Sequence, residues 1–325
     1  MNRLRIDPYI AAIFGCVALA SVLPARGTGA VVVDALTDGA IALLFFLYGA
    51  RLSPKDAWEG ARHVRLHVLV LAFTYVLFPL VGLFTVLLVP WLLTHELYVG
   101  MVFLAVLPST VQSSIAFTSV ARGNVAAALC AASASNLLGV LITPVLAGLL
   151  LSQQGVTLSG SAVQRLVLQL ILPFFLGQVL RRFIGGFVTR HKRALGLVDR
   201  GSILLVVYSA FSEGVVAGIW DRLSPASLSA VLLVCTLLLA LVLTVTTYVS
   251  RALRFSVEDE ITIVMCGSKK SMASGLPMAS VLFPASVVSM AVLPLMLFHQ
   301  IQLVACAWLA RRYAARPEAS TSARS

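Results

Sequence analysis

Apolar stretches of about 20 residues follow one another along almost the whole chain, without the alternation of a half-buried strand. A run of that length crosses the hydrocarbon core of a bilayer as a helix, which pairs its own backbone groups where no water can. Hydrophobic residues fill 59% of the 325 positions and charged ones only 11%, against roughly 25% charged in an ordinary soluble domain. The sequence therefore reads as an all-α polytopic membrane protein. Divided at polar and Pro/Gly loops, the runs give ten candidate transmembrane helices: 8–24, 30–50, 66–89, 97–120, 124–152, 164–185, 198–220, 226–251, 257–283 and 285–310.

The basic residues orient these spans. Of 24 Lys and Arg, three (Arg26, Arg165, Arg222) fall on one side, two are Lys269 and Lys270, and the other 19 lie in segments of the opposite side. That asymmetry predicts cytoplasmic N- and C-termini. Arg3 and Arg5 before the first run imitate a signal peptide, but further spans follow at once, so an uncleaved first helix is expected. The net charge of +11 sits in short loops, where anionic lipid headgroups rather than nucleic acid are its partner. The five cysteines all lie in apolar stretches without metal-ligand spacing and read as small buried hydrophobes. FIGGFVTRHKRALGLVD (183–199) reads as an interfacial helix, and residues 313–325 as a disordered cytoplasmic tail.

Lys269 and Lys270 stand in the middle of the ninth span. Each ammonium at that depth costs at least ~2.5–3.5 kcal/mol on insertion scales, unless a wet cavity or nearby acceptors relieve it. Gly267, Ser268, Ser271, Ser274, Gly275 and Pro277 around them predict an interrupted helix, the kind that binds cargo at the bilayer midplane of secondary transporters. The fourth span has a counterpart in Pro108 followed by Ser109, Thr110, Gln112, Ser113 and Ser114. Proline removes one amide donor, and the freed backbone beside hydroxyls can replace the hydration shell of an ion or polar solute. The next span of each half also carries a polar point: Ser133, Ser135 and Asn136 in the fifth, His299, Gln300 and Gln302 in the tenth. Small polar residues also let helices pack closely, and a lone His299 is more often a packing residue than a cavity border. Five spans followed by five makes the second copy insert upside down, an inverted-repeat plan with repeats at 1–152 and 164–312.

ARGNVAAALCAASASNLLGVLITPVL (121–146), the preceding PSTVQSS, KKSMASGLPMA (269–279), LPFFLGQVLRR (172–182) and FHQIQLVACAWLARRYA (298–314) together resemble the bile acid:sodium symporter family. The likeness is closest to its divergent branch related to human solute carrier family 10 member seven and bacterial homologues. The resemblance implies two inverted five-helix repeats and a bacterial inner membrane. It implies a panel domain (spans one, two, six, seven), a core domain (three to five, eight to ten), and broken fourth and ninth helices crossing at the centre. Sodium would bind beside the crossing, and an organic anion between core and panel. Anchoring the family pattern on Ser274-Gly275-Leu276 puts Ser268 where a sodium-binding acid stands and Met272 where a Gln stands, while Ser113 and Ser114 match its Ser-Asn pair approximately. Positive charge beside the missing acid opposes an ordinary two-sodium site by Coulomb repulsion.

A cavity lysine can replace a coupling cation, titrate and so couple protons, attract an anionic solute, or lock the core by pairing with an acid. Adjacent helical residues point about 100° apart, so one lysine of the two is expected to reach the site. Glu213 and Asp38 are the intramembrane acids expected in gating or coupling, and Glu213 can pair with a lysine in one state. The sequence thus predicts a secondary active transporter of a small solute, an organic anion by resemblance, without an enzyme's catalytic motif and without a cofactor other than a coupling Na+ or H+. A weak sodium site is expected near Ser113, Ser114 and Ser268. The alternative is a non-transporting regulatory or sensor protein affecting ion homeostasis on the same fold. Substrate and oligomeric state are left open, a monomer being compatible with the sequence.

Overall fold

The computed structural model describes residues 8–51, 63–152, 164, 167–216, 218 and 224–316, and every regular element among them is helical. In chain order these are α1 (Pro8–Val22), α2 (Thr28–Arg51), α3 (Val64–Leu88), α4 (His95–Val106), α5 (Val111–Val120), α6 (Val125–Ser152), α7 (Val167–Arg190), α8 (Lys192–Val216), α9 (Pro225–Ala252), α10 (Val257–Gly267), α11 (Met272–Leu282) and α12 (Ala285–Ala314). Lys55, Arg62, Arg165, Arg222 and the tail from 317 onward lie outside the described residues.

Seven of these helices (α2, α3, α6, α7, α8, α9, α12) are long and apolar enough to cross a membrane, and α4 with α5 makes an eighth span bent by 63°. Two of the ten expected spans do not qualify by length and apolarity. One is α1, with 15 residues. The other is the ninth, which splits into α10 and α11 of 11 residues each with both lysines between them. Leu36, Val76, Leu80, Val145, Phe183 and Leu237 point outward, as expected of side chains that meet lipid tails rather than water.

Capping fixes where several helices begin. Ser224, followed by Pro225 at the first helical position, starts α9, and its hydroxyl accepts the Ser227 amide at 3.1 Å. Ser256 does the same for α10, ahead of Glu258, Asp259 and Glu260 in the first turn, where acidic groups suit the positive helix end. The expected interfacial helix is not a separate element. Instead, α7 runs to Arg190, the chain turns at His191, and α8 starts at Lys192. Helix ends that emerge from a bilayer carry basic residues on a polar face, which in sequence imitates a helix lying along the surface.

Small residues decide which helices touch. A methyl group on Gly177 of α7 would lie 2.9 Å from the Ala50 amide nitrogen of α2, and Gly49 abuts the Phe174 carbonyl in return. Such contacts hold transmembrane backbones together by close van der Waals packing. Around this pair α1, α2, α7 and α8 form one group. The others pack as a second group, in which α4 lies along α12, and α5 meets α6, α10 and α12. Between the groups α8 touches α11 and α12 beside a crevice.

Candidate functional site

The fourth and ninth spans break at the same level and interlock. Residues 107–110 and 268–271 are non-helical, and the two breaks touch directly. The Ser271 amide donates to the Pro108 carbonyl (2.8 Å), the Ser109 hydroxyl to the Cys266 carbonyl (2.6 Å), and the Ser114 hydroxyl to the Met265 carbonyl (3.1 Å). Gly139 of α6 lets the first break pack close, because a methyl there would lie 2.7 Å from Pro108 Cβ.

Every buried carbonyl released by such a break needs a donor. Pro108 has no amide hydrogen, so the Leu104 carbonyl takes the Leu107 amide instead at 3.3 Å. The Val106 carbonyl accepts the Thr143 hydroxyl (2.8 Å), and the Ser109 carbonyl accepts the Asn136 amide. The remaining two, Ala105 and Leu107, both accept Lys270 Nζ at 2.7 Å. Asn136 also ties the breaks together from α6, since its Oδ1 accepts the Ser274 hydroxyl at 2.7 Å.

Both lysines are fully buried, with 0% exposure. Lys270 Nζ has a third acceptor in the Thr74 carbonyl of α3 at 2.8 Å, and lies 4.2 Å from the centre of the Phe78 ring. Lys269 Nζ donates to the Ser113 carbonyl at 2.9 Å and lies 4.2 Å over Phe117. Ring faces attract cations, so both ammonium groups have compensation inside the protein. From α12, Gln302 mimics a backbone partner for Lys270. Its Oε1 accepts the Lys270 amide (2.9 Å), and its Nε2 donates to the Lys270 carbonyl (3.0 Å) while lying 2.8 Å from His299 Nδ1.

The cavity lies on the other face of the crossing. It encloses about 710 Å³ between the two helix groups. Thr110, Gln112, Ser133, Asn136, Ser271 and Ser274 form its polar end. Arg51 of α2 and Arg193, Asp199 and Arg200 of α8 also line it, with an ion pair joining Arg51 to Asp199.

Six of the residues singled out from sequence thus share a cavity wall, and the remainder do not. Neither lysine reaches that wall, contrary to the expectation that one would. The 100° rule presumes a helix, and both lysines sit in the non-helical link, from which Lys270 turns toward released carbonyls and Lys269 toward the Ser113 carbonyl in the first turn of α5. Ser109 and Ser114 join the two breaks, and Ser113 contributes a carbonyl to Lys269. Ser268 donates to Val264 within its own chain segment at 2.6 Å. His299 is linked to the crossing through Gln302, and half-buried Gln300 is not part of the cavity wall. Glu213 of α8 faces Asp34 and Asp38 of α2 rather than a lysine, and Ser209 donates to Asp34 at 3.1 Å.

Sequence reasoning used Arg51, Arg193 and Arg200 for topology and missed them as cavity residues. A signal existed in α8. Arg193, Gly196, Arg200 and Ile203 recur at three- and four-residue steps, which places them on one helical face.

The model of the SBF-like CPA transporter family matches residues 7–315. The chain belongs to that family. It is 50% identical over 319 residues to the putative symporter YfeH of Escherichia coli, covering 98% of this chain and 96% of the relative. An uncharacterized protein of Pseudomonas aeruginosa is 53% identical over 326 residues, 99% and 98% of the two chains. The rat sodium/bile acid cotransporter 7 is 27% identical over 310 residues, 94% and 91% of the two chains. Family membership makes this SBF-like protein an integral membrane transporter and not an enzyme.

Proposed function

We propose that this SBF-like protein is a secondary active transporter that moves a small organic anion by alternating access, with the crevice as its inward-facing solute site. The observation that carries the reading is the cavity wall. Three guanidinium groups against one carboxylate border a polar end made of hydroxyls and amides. Guanidinium forks suit carboxylate or phosphate oxygens. Arg51 Nη2 and Asp199 Oδ1 are buried without a hydrogen-bond partner in the protein, which leaves bonding capacity at the mouth of the crevice. The name of one relative, the rat sodium/bile acid cotransporter 7, agrees with an organic anion as cargo.

In this reading α1 and the α10–α11 pair complete ten crossings in two inverted repeats. The group α1, α2, α7 and α8 is the panel, and the second group is the core that moves against it. Both termini are cytoplasmic, in a bacterial inner membrane, and one chain suffices for the site. Sodium is not the coupling ion. The cation beside Ser113 is the ammonium of Lys269, at 2.9 Å from its carbonyl, and its charge opposes a second cation there. Protons are the alternative, with Glu213 and Asp38 on the panel as the carboxyl groups that would carry them.

The test is uptake into proteoliposomes of a panel of labelled organic anions, cations and neutral solutes, with sodium and pH gradients imposed separately. Saturable uptake of an anion that persists when choline replaces sodium is expected. Flux that requires sodium would overturn the coupling assignment. A folded protein with no saturable flux for any solute would favour the regulatory role instead.

A further inference from the structure

Three backbone oxygens converge on Lys270 Nζ, those of Thr74, Ala105 and Leu107, at 2.8, 2.7 and 2.7 Å. Each is free for a reason written in the chain. Ala105 would pair with the Ser109 amide in a continuous helix, but that amide donates to the Ser135 hydroxyl at 3.0 Å. Leu107 lies past the end of α4, in extended backbone. Thr74 lies in a π-helical turn (Phe73–Leu77), where the Phe78 amide reaches back to Phe73 and the next residue, Pro79, has no amide hydrogen to offer. Two unrelated irregularities, in α3 and after α4, thus aim three carbonyl oxygens at one point.

The geometry specifies what fills that point. A neutral amine has two N–H groups, whereas an ammonium has three and no lone pair, and all three oxygens lie at hydrogen-bond distance. The Phe78 ring face completes the shell at 4.2 Å. Carbonyl oxygens converging in this way are the ligands that replace the hydration shell of an alkali ion in channel filters. Lys269, with one carbonyl at 2.9 Å, is not held by such a shell.

We propose that Lys270 is a built-in monovalent cation, whose ammonium fills a backbone-carbonyl site that an alkali or alkylammonium ion takes when the side chain is removed. The crossing of the two broken helices therefore needs positive charge at this point and receives it from the chain itself. The inference concerns the crossing alone and holds whatever solute the crevice carries.

The test is thermal unfolding of the purified full-length protein in detergent at constant ionic strength, in choline, sodium, potassium, ammonium and methylammonium chloride. Wild type should give one Tm in all five. Lys270→Ala should melt several degrees lower in choline, and at least one small cation should restore the loss with saturation. Lys269→Ala should show no cation-specific rescue. A Lys270→Ala protein that no cation restores would overturn the proposal, as would one whose saturable rescue by a cation is no greater than the stabilisation that cation gives wild type. Should Lys270→Ala fail to fold in choline, purification throughout in each cation decides the matter: recovery in a small cation supports the site, and recovery in none counts against it. Lys270→Gln offers two N–H donors without charge. It should melt between wild type and Lys270→Ala in choline, and a Tm at or above wild type would show that charge is not needed.

Discussion

The two faces of the crossing use the same broken backbone in opposite ways. On the crevice face, Thr110, Gln112, Asn136 and Ser274 present short polar side chains to a cavity. On the far face, Lys269 and Lys270 are sealed from solvent, and the long side chain of Lys270 covers oxygens that the break after α4 sets free. A helix interruption exposes donors and acceptors that must be answered somewhere. Answering one set internally leaves the other available for a solute. Substitutions on the far face should therefore act on stability, and substitutions on the crevice face on transport.

The largest effect is expected at Lys270. Lys270→Met keeps much of the aliphatic volume but leaves the Thr74, Ala105 and Leu107 carbonyls without donors. Buried unsatisfied groups cost about 1–3 kcal/mol each, and relief of the lysine's own desolvation offsets part of this, so a net loss of about 3–5 kcal/mol is expected. Denaturant unfolding in detergent reads it directly. A variant as stable as wild type would erase the distinction between the faces.

Gln302→Leu comes next. It removes the two hydrogen bonds that brace the Lys270 peptide, for an expected loss of about 2–3 kcal/mol in the same measurement. Binding of the solute should change only as far as the fraction of folded protein changes. A loss of flux without loss of stability would move α12 to the crevice side of the comparison.

The parts of this arrangement visible in sequence were those that depend on composition along the chain. Apolar run length gave most spans to within a few residues, and Pro108 and the lysine pair marked both breaks. What stayed hidden depends on directions in space. The lysines looked like cavity residues because an intramembrane charge suggests water, and nothing local to them reveals three carbonyls drawn from α3 and α4. Only Pro79, five residues after Thr74 in an apolar run, hints that one of those carbonyls lacks an amide. Arg193 and Arg200 looked like topology signals because a basic residue at a helix end answers equally to lipid and to a solute. The interfacial helix was expected for a related reason, the polar face of an emerging helix end.

Ser274→Ala tests the crevice face. The hydroxyl donates to Asn136 and borders the cavity, so its removal should cost no more than about 1 kcal/mol of stability. Flux should suffer more, because Asn136 loses the partner that holds its amide between the breaks. An affinity loss of about tenfold, ~1.4 kcal/mol, is expected in a solute-dependent thermal-shift titration. Equal effects of Ser274→Ala and Gln302→Leu on both readouts would break the comparison.

The smallest effect is expected at Arg193, which lines the mouth of the crevice and is exposed to it. An exposed charge attracts an anion through a high-dielectric medium, so Arg193→Ala should weaken solute affinity by only about threefold at physiological salt. Screening sets the discriminating test. With a Debye length of about 8 Å at physiological ionic strength and about 30 Å at 0.01 M, the affinity ratio of wild type to variant should widen as salt is lowered. Stability should not change with it. A ratio independent of salt would mean that Arg193 acts by shape and not by charge, and a ratio that inverts would point to a cationic cargo, which the three guanidinium groups of the wall argue against.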